Sequence, residues 1–179
     1  QSTNVDLQLD PGFTIQFAVV GPDGKPADDI NVYGMRPGFP IEKLSSSTFD
    51  AVAFEPNEQR QISVWDAHRR IGKVVHVRPS DAPDHKVTIK LQPWSEVTGR
   101  LVGPDGQAVT NARIETQVDS FFPGGTDAKG RFHIRLLPGM DCSLRGIKGR
   151  EEFNTDAQHV PIRPGETKDL GDVHMKSFS

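Results

Sequence analysis

A chain of 179 residues has room for one mid-sized domain or two small ones, and 17 glycines, 14 prolines and 35% hydrophobic residues suit short strands and turns. The formal charge of -3, with both signs interspersed, excludes the basic stripe of a nucleic-acid binder; Arg69-Arg70 and the pair Lys148 and Arg150 are short, isolated clusters. No run approaches the roughly 18 apolar residues of a membrane-spanning helix, and a mean hydropathy of -0.50 describes a well-solvated surface.

The chain opens Gln1-Ser2-Thr3-Asn4, with neither an initiator Met nor an apolar signal region, so a removed signal peptide and an excised fragment are the two explanations. Residues 14–20 alternate, placing Ile15, Phe17 and Val19 on one face, as a half-buried strand requires. Gly21-Pro22-Asp23-Gly24 then reverses the chain: Pro presets the first central dihedral and Gly accepts a positive one. Ile30–Tyr33 is the return strand, and further strands are expected at 61–65, 73–77 and 87–91. Leu91-Gln92-Pro93-Trp94-Ser95 runs one set of strands into the next with almost no linker, which divides the chain into 1–92 and 93–179, with Trp94 expected to pack at the join. Beyond it, strands are expected at 112–116, 143–147, 159–162 and 172–176, and at Phe132-His133-Ile134-Arg135-Leu136 after the tight turn Thr126-Asp127-Ala128-Lys129-Gly130-Arg131.

The second half repeats the first. Gly21-Pro22-Asp23-Gly24 recurs as Gly103-Pro104-Asp105-Gly106, a shift of 82 residues. Ile15, Phe17 and Val19 then face Val97, Gly99 and Leu101; Val32 faces Ile114; Val52, Phe54 and Pro56 face Ile134, Leu136 and Pro138; and Ile62 faces Leu144. Late in the repeat Val77-Arg78-Pro79 faces Ile162-Arg163-Pro164 at a shift of 85, a difference that surface loops absorb. Short strands with turn signals at this spacing predict an all-β chain of two tandem β-sandwich domains, immunoglobulin-like or transthyretin-like.

Val97-Thr98-Gly99-Arg100-Leu101-Val102-Gly103-Pro104-Asp105-Gly106-Gln107-Ala108-Val109 resembles the opening of carboxypeptidase regulatory-like domains. Thr126-Asp127, Gly130-Arg131-Phe132, Leu137-Pro138-Gly139 and Pro164-Gly165-Glu166-Thr167 continue the resemblance through most of the second half. The first half departs at Ser45-Ser46-Ser47-Thr48-Phe49-Asp50, which lacks the glycine and the arginine of that turn. The resemblance implies a transthyretin-like (prealbumin-like) sandwich, also grouped with carbohydrate-binding-like folds. It further implies an accessory, extracytoplasmic part of a secreted, periplasmic or cell-surface bacterial protein. Its motifs are turn and core residues, so they speak to fold and not to function.

Catalytic motifs are missing: there is no Gly-x-Ser-x-Gly elbow and no His-Glu-x-x-His helix. The six histidines are scattered singly, so no metal site and no cofactor is expected. Each Asp-Gly turn offers one carboxylate where a calcium loop needs several oxygens. An early-strand lysine, needed for a Lys–Asn isopeptide crosslink, is absent from both repeats. Cys142 reads as a small buried hydrophobe. The remaining candidates are aromatics in Pro/Gly loops: Tyr33 and Phe39 in the first repeat, Phe121 and Phe122 in the second, with Phe39 and Phe121 coinciding at the 82-residue shift. Such side chains either cap the open end of a sandwich or form a docking surface. The expectation is therefore a non-enzymatic interaction or spacer module. Its partners are other domains of the parent protein or a surface protein, and a polysaccharide held by the aromatic loops is the alternative.

Overall fold

The computed structural model describes residues 11–38, 41–116 and 121–176. The chain is all-β and divides into two units, Gln1–Ala67 with Val75–Leu91 and His68–Val74 with Gln92–Ser179.

In unit 1, β1 (Phe13–Val20) lies between β4 (Thr48–Phe54) and β7 (Lys86–Lys90), antiparallel to the former and parallel to the latter. A second sheet runs from β3 (Glu42–Leu44) through β2 (Ile30–Tyr33) and β5 (Arg60–Asp66) to β6 (Ile71–Val77), whose residues 71–74 belong to unit 2. The period-2 pattern explains the layers. Ile15, Phe17 and Val19 from one sheet, and Ile30, Val32, Ile62 and Val64 from the other, are all buried. Each such side chain contributes about 1.5–3 kcal/mol on leaving water.

Unit 2 repeats this topology. After β8 (Gln92–Pro93) come β9 (Ser95–Val102), β10 (Arg113–Thr116), β11 (Gly124–Gly125), β12 (Arg131–Leu136), β13 (Leu144–Lys148), β14 (Glu151–Thr155) and β15 (Thr167–Lys176). The order β12-β9-β15 reproduces β4-β1-β7, with the same antiparallel and parallel pairs, and β11-β10-β13-β14 reproduces β3-β2-β5-β6. Here the two layers form one bent sheet, because the end of β15 also pairs with β14 through Asn154↔Lys176 and Thr155↔Met175. Val97, Leu101, Ile114, Phe132, Ile134, Leu144, Phe153 and Val173 belong to one core cluster.

The repeat is visible bond by bond. Gly21 N donates to Lys25 O and Ala27 N to Val19 O; their counterparts are Gly103 N to Gln107 O and Val109 N to Leu101 O. At the 85-residue shift, Arg78 N donates to the Asp81 carboxylate as Arg163 N does to Glu166.

Two expectations are corrected. The shift across β4 and β12 is 83, not 82. Phe17 pairs with Phe49 and Gly99 with Phe132, so Phe49 is the counterpart of Phe132, and Ala51, not Val52, is the counterpart of Ile134. Val52 is therefore exposed. A β-bulge with Ala53 at φ 57° adds one residue and restores the 82-residue register at Phe54. The turn that lacks Gly and Arg survives this change: Ser47 O still accepts from Val19 N as Gly130 O does from Leu101 N, and Ser46 Oγ accepts from Thr48 N.

The strand expected at 159–162 is also not formed. Val160 and Ile162 pack against the core from an irregular segment, and the strand lies earlier, at β14. Its sequence, Glu151-Glu152-Phe153-Asn154-Thr155, carries one large apolar side chain and so shows no alternation. Pairing comes instead from the two-residue turn Gly149-Arg150 (Gly149 φ 64°) and from Phe153, which lies across Gly146.

Candidate functional site

β12 alternates Phe132, Ile134 and Leu136 inward with Arg131, His133 and Arg135 outward. Opposite them on β9 stand Arg100, Thr98 and Glu96. The like-charged pair Arg131 and Arg100 is relieved by Asp172 on β15, whose two oxygens accept from Arg100 Nε at 2.8 Å and Nη2 at 2.9 Å. That pairing holds the Asp172 carboxyl below the usual carboxylate range and raises Arg100. Glu96 is shared between Arg70 and His133, whose Nε2 lies 3.1 Å from a Glu96 oxygen. Among the described residues the guanidinium groups of Arg131 and Arg135 make no hydrogen bond or ion pair.

Two hollows follow this strand. One, of about 700 Å³, has Gly99 and Gly171 in its floor and Arg100, Arg131, Asp169 and Asp172 around it. The other, of about 220 Å³, is lined by Phe122, Pro123, His133, Ile134 and Arg135. The loop before β12 is pressed onto the strand: a Cβ on Gly124 would stand 2.4 Å from His133 O, and only glycine allows that approach. Thr126 anchors the loop's far side, its hydroxyl accepting from Ala112 N at 2.9 Å while its own N–H donates to Ala112 O at 2.8 Å.

The sequence candidates separate accordingly. Phe121 and Phe122 meet with ring centroids 6.5 Å apart, and Phe122 lies 4.5 Å from the buried ring of Trp94 at an interplanar angle of 38°. Phe121 and Phe122 are half-buried, and among the described residues the buried Trp94 Nε1–H has no hydrogen-bond acceptor. Tyr33 is half-buried at the end of β2 in unit 1, and Phe39 lies outside the described residues. Sequence reasoning overlooks the charged face of β12, although Phe132-His133-Ile134-Arg135-Leu136 reads as an alternating strand.

It also overlooked a Ser–His–Asp constellation. Ser143 Oγ donates to Asp141 Oδ2 at 2.6 Å and accepts from His159 N at 2.9 Å, and His159 Nδ1 lies 3.0 Å from Asp141 Oδ1. A serine nucleophile needs an exposed hydroxyl that gives its proton to the imidazole. Ser143 is 1% exposed, and its proton is directed to the carboxylate. The cluster therefore braces the chain at 158–160 and does not activate a nucleophile. Beside it, burial and then the Asp141 charge push the Cys142 thiol up to about 11, far from a reactive thiolate at neutral pH. Among the described residues no group of three His, Cys, Asp or Glu side chains is placed to hold a metal ion.

No protein-family model matches this chain. No curated protein matches it either. Two solved structures are similar at low level. The Bacillus anthracis TIE protein is 12% identical with a TM-score of 0.32, over 93% of this chain and 34% of that one. A Streptococcal ancillary pilin is 10% identical with a TM-score of 0.33, over 91% of this chain and 62% of that one. The chain thus spans about a third of the first structure's length and under two thirds of the second's. The all-β assignment rests on the strand pairing described above.

Proposed function

We propose that this chain is a non-catalytic interaction module of a larger extracytoplasmic protein, related to carboxypeptidase regulatory-like domains, and that unit 2 carries the docking face. The observation behind this reading is the hollow that Arg135 shares with Phe122 and Pro123, with Arg131 exposed on the same face of β12. Exposed guanidinium groups beside aromatic side chains are frequent at the centres of protein interfaces. The Ser143–Asp141–His159 geometry supports a non-enzymatic role, since the cluster consumes its own hydrogen-bonding capacity. The partner is a protein domain of the same parent protein with an acidic surface.

The test is calorimetric titration of this chain with the other domains of its parent protein, at low and at raised salt. The expected result is association that weakens with ionic strength, as exposed charges require, and that is lost in Arg131→Glu/Arg135→Glu. No association with any domain overturns the reading. Saturable binding to a polysaccharide, abolished by Phe121→Ala/Phe122→Ala, replaces it with the carbohydrate alternative.

A further inference from the structure

β12 is an outer strand of its sheet, and its backbone is engaged unevenly along the open edge. Leu101 N donates to Gly130 O at 2.8 Å, and the antiparallel register alternates from that pair onward. Phe132, Ile134 and Leu136 therefore turn their N–H and C=O groups to β9, while Arg131, His133 and Arg135 turn theirs to the edge. At Arg131 the edge is closed by Asp127: its carboxylate accepts from Arg131 N, and its N–H donates to Arg131 O, both at 2.9 Å. At His133 the backbone of Gly124 lies against the carbonyl oxygen. At Arg135, among the described residues, neither backbone group has a hydrogen-bond partner.

The equivalent residue of unit 1 shows that the fold does not require this. Val52 stands where Arg135 stands, at the 83-residue shift of β4 on β12. Its N–H donates to Met35 O at 2.9 Å, and its C=O accepts from Arg60 at 2.8 Å. In unit 2 the residue in the place of Arg60 is Cys142, which offers no such donor. The loop that shares a hollow with Arg135 contributes Phe122 and Pro123, and proline has no N–H to give. Arg135 thus presents one backbone donor, one backbone acceptor and a guanidinium without an ion pair, beside a half-buried aromatic ring.

That set matches one residue of an extended peptide. Directly opposite residues of an antiparallel pair exchange two main-chain hydrogen bonds, and their side chains lie on the same face. An acidic residue opposite Arg135 therefore brings its carboxylate to the guanidinium. We propose that Arg135 is a point of strand addition, at which an extended acidic segment of the partner pairs with the edge of β12 while Phe122 and Pro123 flank the segment. This deepens the docking reading of unit 2, on which it rests, by naming what the partner supplies: an extended chain with an Asp or Glu in register with Arg135. Unit 1 takes no strand at Val52, because both backbone groups there are already engaged.

The test is an amide-resolved NMR titration of the 179-residue chain with two blocked peptides, acetyl-Val-Glu-Val-amide and acetyl-Val-Gln-Val-amide. The expected result is a saturable downfield shift of the Arg135 amide proton and none at Val52. The glutamine peptide should bind at least about threefold more weakly, as the loss of one exposed charge pair implies, and raised salt should remove that difference. Arg135→Pro deletes an N–H that faces away from β9 and should abolish the effect; Arg135→Gln should keep the shift and lose the preference for glutamate. No saturable shift at Arg135 in the unaltered chain, or an equal one at Val52, overturns the proposal. A domain of the parent protein that associates and leaves the Arg135 amide unshifted overturns it too, with the docking reading intact. Peptide pairing at Arg135 without any domain association supports the site and removes only the parent-protein partner.

Discussion

Replacing Arg60 by Met tests the device that most distinguishes unit 1 from unit 2. Arg60 is 7% exposed. Its guanidinium donates to Val52 O and Ala53 O, each at 2.8 Å, and to both oxygens of Glu58, at 2.6 and 2.8 Å. It also lies 3.9 Å from the centre of the Phe54 ring. The two carbonyls belong to the bulge, where Ala53 holds a left-handed conformation that costs a non-glycine residue about 1–2 kcal/mol. Met fills much of the volume and supplies none of the donors. Each buried acceptor left unmet costs about 1–3 kcal/mol. Val52 is 37% exposed and the Glu58 side chain 26%, so water recovers part of that loss. The expected net cost is therefore about 3 kcal/mol, near the lower bound for breaking a buried ion pair.

For a domain of this size about 1 kcal/mol moves the melting temperature by roughly 4–8 °C. Scanning calorimetry, with Trp65 fluorescence reporting unit 1 and Trp94 reporting unit 2, should show the unit 1 midpoint falling by roughly 12 °C or more in Arg60→Met. Arg60→Lys, which keeps the charge without the planar fork, should recover less than half of the loss. Glu58→Gln, which spares the bulge carbonyls, should cost about 1 kcal/mol. A loss below about 1 kcal/mol for Arg60→Met, or one no larger than that of Glu58→Gln, would refute the argument that the guanidinium sustains the bulge.

Three further outcomes are expected. The hydrogen bond from Arg60, aided by that from the Glu55 N–H, lowers the Glu58 carboxyl below its ordinary value. Its contribution to stability is therefore complete above the unfolded value of about 4.3 and is lost as pH falls through the folded one. Acid titration of unit 1 stability should show this limb in the wild type and a flatter one in Arg60→Met. Cys142, buried and with its thiol pushed up to about 11, should resist iodoacetamide at neutral pH and react at once in denaturant; rapid labelling of the folded chain would count against the placement. Gly146→Ala should destabilise unit 2 by about 1–3 kcal/mol, since the new Cβ would stand 2.1 Å from the Phe153 ring. Gly149→Ala, with open space around it but φ at 64°, should cost about 1 kcal/mol, and equal losses at the two sites in urea denaturation would contradict that distinction.

The scaffold was legible wherever local chemistry decides it. Pro-Asp-Gly turns and inward alternation in β1, β9 and β12 need no tertiary information, and they were found. β14 was illegible because its pairing depends on Phe153 covering Gly146, a contact across strands that no periodicity announces. β3 and β11 are too short, at three and two residues, to show a pattern. Of the candidate site, sequence reasoning picked Phe121 and Phe122 from their loop, but the contact of Phe122 with Trp94 is one that no local pattern announces. The cations of β12 were seen only as the polar half of a strand. Whether an outward arginine is neutralised depends on its neighbours on the next two strands, as Asp172 shows for Arg100.

The divergence between the repeats separates what the fold needs from what it displays. The counterpart of Arg60 at the 82-residue shift is Cys142, a buried residue without charge. Where arginine stands, the neighbouring strand carries an extra residue and its carbonyls turn to the guanidinium; where cysteine stands, β12 runs without a bulge from Arg131 to Leu136. An uninterrupted β12 keeps Arg131, His133 and Arg135 on one side. The corresponding positions of β4 are Thr48, Asp50 and then Val52, beyond which the bulge breaks the alternation. A single exchange of a buried residue thus accompanies the difference between a strand that presents a row of cations and one that does not. Restoring a straight strand in unit 1 by deleting Ala53 together with Arg60→Cys should therefore be less destabilising than either change alone. Calorimetry of the three variants would decide the point, and a double variant no more stable than the single ones would sever the link between bulge and arginine.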